Sequence, residues 1–302
     1  MYKNNAKIGF VGFTYPAPKE LSPLDKLLWQ MDKAKELGCG VFIPFAFGLS
    51  ADDIKRIDEK MAKYGFETEG RVHPSVFELC GWQGADKAKA LETFEQSLEE
   101  QKARGIKILR GAYGRLNATV TRWNLNPGWT GAEQKANVTE CLKVAAPLFE
   151  KYDLYGCLEN HLDFTGKEFD EIYTAVGSKH VGSAYDTANG FFVNTDPNED
   201  IDYLAKWAIT THIKDTKIID STFGPANGPM VPVGCALGEG NVDVKRALDT
   251  ILEVAPFRDG IHLIFESGWF GAEVQKANPD MDAYNHKITE ASIQYLKDYL
   301  TI

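Results

Sequence analysis

Eight runs rich in β-branched and aromatic residues alternate with eight stretches of helical periodicity, and this alternation constrains the fold more than any other feature of the chain. The strand-like runs fall at 7–14, 40–45, 66–72, 106–112, 154–159, 181–186, 211–214 and 261–266. The helix-like stretches fall at 23–37, 51–64, 86–103, 132–151, 167–176, 199–208, 242–253 and 283–299. Strand and helix in strict alternation read as βαβ units on a parallel sheet, and eight of them suit a closed (β/α)8 barrel of the α/β class. A length of 302 residues with 44% hydrophobic composition predicts one domain over 1–302. Ser22 and Ser50 stand where helix N-caps belong, and Gly38, Gly65, Gly105 and Gly177 where helices stop. In the third helix, Lys87, Lys89, Glu92 and Glu95 interleave with Ala88, Leu91 and Phe94, the texture of a solvated outer face.

Charge narrows the partners. A net charge of −10 disfavours an electrostatic grip on nucleic acid or an anionic membrane and favours a neutral small molecule. The first seven residues lack the apolar core of a secretory leader, and no apolar stretch approaches the roughly 18 residues a membrane span needs, so a cytoplasmic protein is expected. Cys39, Cys80, Cys141, Cys157 and Cys235 are odd in number and follow no metal-binding spacing, which predicts reduced, buried thiols.

The chemistry gathers in the second half. Glu159, Asp186, His212 and Glu266 each close an apolar run and are followed at once by a polar or glycine-rich loop. In a barrel the C-terminal strand ends converge on the catalytic face, so the four residues are predicted to meet there. Three carboxylates and one imidazole form a hard donor set suited to one octahedral Mn2+, Mg2+ or Co2+, with positions left for substrate oxygens. Asp215 is read as a further acidic neighbour of that set. Side-chain alternation puts His161 on the face of Glu159 and Lys214 on the face of His212. His73 also ends a strand, whereas His180 and His262 begin strands and His286 lies inside the last helix, where structural roles are expected. Two segments exceed an ordinary strand-to-helix connection: 113–131, with Arg115, Arg122 and Trp123, and 219–241, which is rich in glycine. Both are expected as loops over the catalytic face.

The strand-end segments Leu158-Glu159-Asn160-His161, Tyr185-Asp186-Thr187-Ala188-Asn189, His212-Ile213-Lys214-Asp215, Gly238-Glu239-Gly240-Asn241-Val242-Asp243 and Phe265-Glu266-Ser267 resemble those of the xylose isomerase-like TIM-barrel superfamily, in its sugar phosphate isomerase/epimerase branch. The resemblance covers the chain in architecture and is specific over 154–270. It implies one divalent ion, often Mn2+, on Glu159, Asp186, His212 and Glu266. It leaves the reaction open, since the superfamily includes ketose 3-epimerases, aldose–ketose isomerases, keto-polyol dehydratases, an endonuclease and C-glycoside deglycosidases. Six histidines and a net negative charge argue against the endonuclease branch.

The chemistry the branch shares is proton abstraction beside a carbonyl, through an enediolate that a metal stabilises. The leading expectation is a metal-dependent isomerase or epimerase of a sugar or keto-sugar. Glu159, Glu266 or His161 would be the members of the acid/base pair, Lys214 would neutralise developing charge, and His73, Arg110, Trp123 and Trp269 would line the substrate. The alternative is a lyase of the same fold, cleaving a 3-keto C-glycoside or dehydrating a keto-polyol with His161 as base. A sugar-binding protein without catalysis is the rival from another class. Expected partners are a carbohydrate substrate, with no nucleic acid and no membrane, and either a homo-oligomer or, for a deglycosidase, a small accessory subunit.

Overall fold

A computed structural model describes residues 2–45, 47–114, 130–221 and 229–301. Eight strands form one sheet: β1 (Lys7–Val11), β2 (Val41–Ile43), β3 (Gly70–Arg71), β4 (Ile108–Ala112), β5 (Tyr155–Glu159), β6 (Val181–Asp186), β7 (Ala208–Ile213) and β10 (His262–Phe265). Their order is β2-β1-β10-β7-β6-β5-β4-β3, and the paired registers are parallel, as between β5 and β6, where Glu159 stands opposite Ala184. Helices α1 (Pro23–Glu36), α2 (Ala51–Tyr64), α3 (Lys87–Ala103), α4 (Gly131–Tyr152), α5 (Gly166–Val176), α6 (Pro197–Leu204), α7 (Val244–Val254), α8 (Ala272–Ala277) and α9 (Met281–Leu300) occupy the connections. The fold is the (β/α)8 barrel of the α/β class.

The chain divides into two compact units. The first comprises Met1–Thr68, His212–Leu248 and Asp259–Ile302, and its core includes Phe10 and Phe42, whose rings meet edge-on at 5.6 Å. In it β2 continues its parallel pairing through a bridge from Val41 to Glu67, in the segment that leads to β3. The second comprises Glu69–Thr211 and Asp249–Arg258, with Phe94 and Phe149 edge-on at 5.5 Å inside it. Both pairs are fully buried, and each such aromatic contact adds about 1 kcal/mol beyond the area it removes from water.

Local signals set the helix ends. The Ser50 hydroxyl accepts from the Asp53 amide at 3.1 Å while the Asp53 carboxylate accepts from the Ser50 amide at 3.0 Å, closing a capping box at the start of α2. Thr130 with Glu133 and Thr165 with Glu168 do the same for α4 and α5. Three features depart from the sequence reading. Helix α6 stops at Leu204, and 208 begins a strand, because the apolar run from Ala208 onward is fully buried in the sheet. Strand β3 has two residues where seven were expected. The segment expected as a long loop carries an antiparallel pair, β8 (Asp215–Asp220) with β9 (Met230–Cys235), registered from Asp215 opposite Cys235 to Asp220 opposite Met230. Its β-branched residues, Thr216, Ile218, Ile219, Val231 and Val233, favour that pairing. The region 113–131 lies largely outside the described residues, and with it Arg115, Arg122 and Trp123. No helix among the described residues is long and apolar enough to cross a membrane. All five cysteines are free, four of them buried.

Candidate metal centre

Strands β5 and β6 end on Glu159 and Asp186, both buried. Asn160 ties the two ends together, since its Nδ2 donates to the Asp186 carbonyl and its Oδ1 accepts from the Asp186 amide, both at 2.8 Å. Asp186 Oδ1 accepts from the amides of Ala188 at 2.9 Å and Asn189 at 3.1 Å, an Asx turn that fixes the carboxylate's orientation. Asn189 in turn donates to Glu159 Oε1 at 3.3 Å and to the Asn160 carbonyl at 3.0 Å. Two asparagines therefore hold two carboxylates in place.

His212 lies near the end of β7, Lys214 one residue beyond it, and Glu266 one residue beyond β10. Lys214 Nζ stands 2.6 Å from Glu266 Oε2, and His212 Nδ1 stands 3.3 Å from the same oxygen. Burial alone would raise the Glu266 carboxyl, but the neighbouring His212 and Lys214 outweigh it and hold it well below the ordinary carboxylate range.

Glu159, Asp186, His212 and Glu266 each offer one donor atom, and the four atoms lie within 4.8 Å of one another. Opposite ligands of an octahedral Mg2+ stand about 4.2 Å apart, twice a bond of about 2.1 Å, so this spacing suits a single ion. Charge gives the same answer. Three carboxylates gathered in a largely buried place repel one another, and a divalent cation among them offsets that repulsion. The donor set therefore fits such an ion.

The other sequence-predicted residues are occupied in different ways. His161 Nδ1 meets the Gly114 carbonyl at 3.0 Å. His73 accepts from the Ser75 amide at 3.2 Å and caps the short 3-10 helix Pro74–Glu78, with its side chain toward solvent. Arg110 grips Glu69 Oε2 through Nε at 3.1 Å and Nη2 at 2.7 Å, and Nη2 also reaches the Thr211 carbonyl at 3.2 Å. Burial works against the charged guanidinium, yet Glu69 and Glu159 keep its pKa above the ordinary value. Trp269, half exposed at 53%, follows β10. Trp123 lies outside the described residues. His180, His262 and His286 contact the Leu154 carbonyl, Glu67 and the Pro16 carbonyl at 2.9, 2.8 and 2.7 Å, the structural roles expected of them.

Asp215 corrects an expectation: it is absent from the ligand group. Its carboxylate accepts from the amides of Thr216, Gly238, Gly240 and Val242 and so folds the segment 238–242 around itself. Gly240 is required there, because an added Cβ would lie 2.1 Å from Asp215 Oδ1. The Gly-Glu-Gly-Asn motif thus builds a turn, with Asn241 Oδ1 accepting from the Ile218 amide at 2.7 Å. Sequence reasoning gave no role to Asn189, Glu69, Asp163 or Asp200. Asp163 and Asp200 are buried carboxylates, Asp163 held by main-chain amides and Asp200 by the Gly166 amide and the Thr195 hydroxyl, and burial pushes both up to about 6 against those hydrogen bonds. Only Asp163 carried a signal, standing two residues after His161 and just before Phe164-Thr165, where a side chain can bond back to its own turn.

Residues 31–299 match the family described as xylose isomerase-like TIM barrel. The chain belongs to this family. No curated protein matches it in sequence. Among solved structures it is similar to D-psicose 3-epimerase from Clostridium cellulolyticum H10, crystallised with D-tagatose, at 14% identity and TM-score 0.69, covering 98% of this chain and 100% of that one. A xylose isomerase-like TIM barrel protein from Mycobacterium smegmatis in complex with magnesium matches at 17% identity and TM-score 0.67, covering 100% of both chains. An L-ribulose 3-epimerase matches at 18% identity and TM-score 0.65, covering 98% of this chain and 94% of that one. Identities this low speak for the fold.

Proposed function

We propose that this protein is a single-domain, divalent-metal-dependent epimerase or isomerase of a sugar or keto-sugar, with Glu159, Asp186, His212 and Glu266 holding one ion, Mn2+ first and Mg2+ or Co2+ as alternatives. The observation that carries the reading is the four-donor group, three of its members buried, whose donor atoms lie within 4.8 Å of one another. The sugar epimerases among similar structures support it. When bound, the ion acts as a Lewis acid toward adjacent carbonyl and hydroxyl oxygens of the sugar and makes the C–H between them acidic.

The chain's own groups do the rest. A carboxylate at Glu159 or Glu266 takes the proton from one face of that carbon, and the other returns a proton from the opposite face, which inverts the centre. Lys214, 2.6 Å from Glu266, supplies a fixed positive charge beside the negative charge that develops on the deprotonated sugar. Arg110, Trp123 and Trp269 are proposed to shape the substrate pocket, and His73 to contact substrate from its cap position. Return of the proton to the neighbouring carbon would give an isomer instead.

One observation favours a second reading. The Nδ1 contact of His161 with a carbonyl fits a histidine that offers its other nitrogen as a base, and a lyase acting on a 3-keto C-glycoside or keto-polyol would use it so. The deciding experiment incubates the Mn2+-loaded protein with a panel of free and phosphorylated keto-sugars in D2O and follows solvent exchange at the carbon beside the carbonyl by NMR. Exchange with an inverted product supports the epimerase, and exchange with loss of a leaving group supports the lyase. No exchange across the panel refutes both and leaves a sugar-binding protein.

A further inference from the structure

We infer that Asp163 is a positioning residue that fixes the ring of His161 in one tautomer through Gly114. Asp163 is fully buried, and its carboxylate serves three amides at once. Oδ2 accepts from the Gly114 amide at 2.8 Å, while Oδ1 accepts from the Phe164 amide at 2.7 Å and the His161 amide at 3.3 Å. One side chain therefore pins both the backbone of His161 and, at its amide, the residue whose carbonyl faces the ring.

The Gly114 carbonyl completes the arrangement. It accepts from the Leu162 amide at 3.1 Å and meets His161 Nδ1 at 3.0 Å, which occupies both of its lone-pair directions. A carbonyl oxygen can only accept, so Nδ1 must carry the hydrogen, and in the neutral ring Nε2 carries the lone pair. This is the tautomer that a histidine side chain in water disfavours, so something must hold it. Gly114 sits at φ +95°, a conformation that side-chain-bearing residues rarely adopt, and the Asp163 carboxylate on its amide keeps it there. Asparagine cannot replace Asp163 without turning an NH2 group toward one of these amides.

The inference rests on the proposal that His161 faces the substrate, but its readout needs no substrate. Long-range 15N–1H spectra of the protein with 15N-labelled histidine, assigned with His161→Gln, are recorded under alkaline conditions where imidazoles are neutral. The wild type should show His161 with hydrogen on Nδ1 alone. Asp163→Asn should lose that single-tautomer pattern while keeping its far-ultraviolet circular dichroism and its metal content. On whichever substrate the panel identifies, kcat should fall about 10- to 100-fold with KM little changed, the usual scale for a group that orients a functional histidine. A wild-type ring protonated on Nε2 overturns the inference even where Asp163→Asn does not fold, and so does an Asp163→Asn spectrum identical to wild type. Absence of turnover on every sugar would refute the proposed function and leave the tautomer result standing.

Discussion

Two buried acidic places in this protein look alike in composition and differ in balance. At Glu69 the carboxylate is met by both Nε and Nη2 of Arg110 and by the hydroxyl of Thr210, so its charge is neutralised and both oxygens are occupied. At Glu159, Asp186, His212 and Glu266 three carboxylates are set against one ammonium, that of Lys214. A buried charge must be paired or must hold a cation. The first place satisfies that rule through Arg110 and holds structure together, and the second gathers donors of the kind that hold a hard divalent cation. A third group sharpens the contrast: Asp163, Asp200 and Asp215 each accept from main-chain amides and form no ion pair with a cationic side chain among the described residues, and burial raises the pKa of each.

If the contrast is real, breaking the two places should have opposite consequences. The largest effect is expected from Glu159→Gln or His212→Ala. Metal analysis after dialysis should show about one equivalent lost, and turnover should fall on the order of 100-fold to 10,000-fold for Glu159→Gln, the scale for removing an acid/base group. The fold should survive, as circular dichroism would show. Retention of a full equivalent in both variants would remove the site.

Arg110→Ala should instead cost about 3–5 kcal/mol of stability in a denaturant titration, because it leaves the buried Glu69 carboxylate without its guanidinium. The double variant Glu69→Gln with Arg110→Met should recover most of that loss. If Arg110→Ala is as stable as wild type, the pair is not the structural element described here. Chelation comes next in size. Stripping the ion should lower the unfolding free energy by about 2.7 kcal/mol relative to protein held at 100 times the dissociation constant. An unchanged melting temperature on adding Mn2+ to dialysed protein would contradict a native-state site.

The smallest effect tests the third group. Asp200 has its folded pKa raised to about 6, above the unfolded value near 3.9, so the folded state takes up its proton first. Its penalty is fully present at pH 7 and is relieved as pH falls through 6. Between pH 7 and pH 5 this one group should add about 1 kcal/mol of stability, opposite in sign to an ordinary paired carboxylate. The stability difference between wild type and Asp200→Asn should therefore move toward wild type by that amount at pH 5. A difference that is flat with pH would mean that Asp200 is not desolvated.

Much of this was legible in the chain. The period of the apolar runs identified all eight sheet strands and the barrel class, because period-two and 3.6-residue patterns record which faces are buried. The convergence of the four donors was legible for the same reason, since Glu159, Asp186, His212 and Glu266 each end a run whose direction alternation with helices had fixed. Boundaries were less so. Strand β3 shrank, and the pair β8–β9 was missed, because glycines and the proline at 232 mask a period-two pattern that tertiary contacts stabilise. Arg110 and Asp215 show the deeper limit: a sequence reveals that a charged residue ends a strand but not which partner reaches it across the fold.

What the sequence determined by itself was therefore the architecture and the donor types, since both follow from local periodicity and residue chemistry. What only the tertiary structure decided was the occupation of each charge. Arg110 answers to Glu69 41 residues away, His161 to Gly114 47 residues away, and Asp215 to amides more than 20 residues on. Such pairings depend on distances of a few ångströms between segments remote in the chain, and hydrogen bonds and charge neutralisation are decided at that scale.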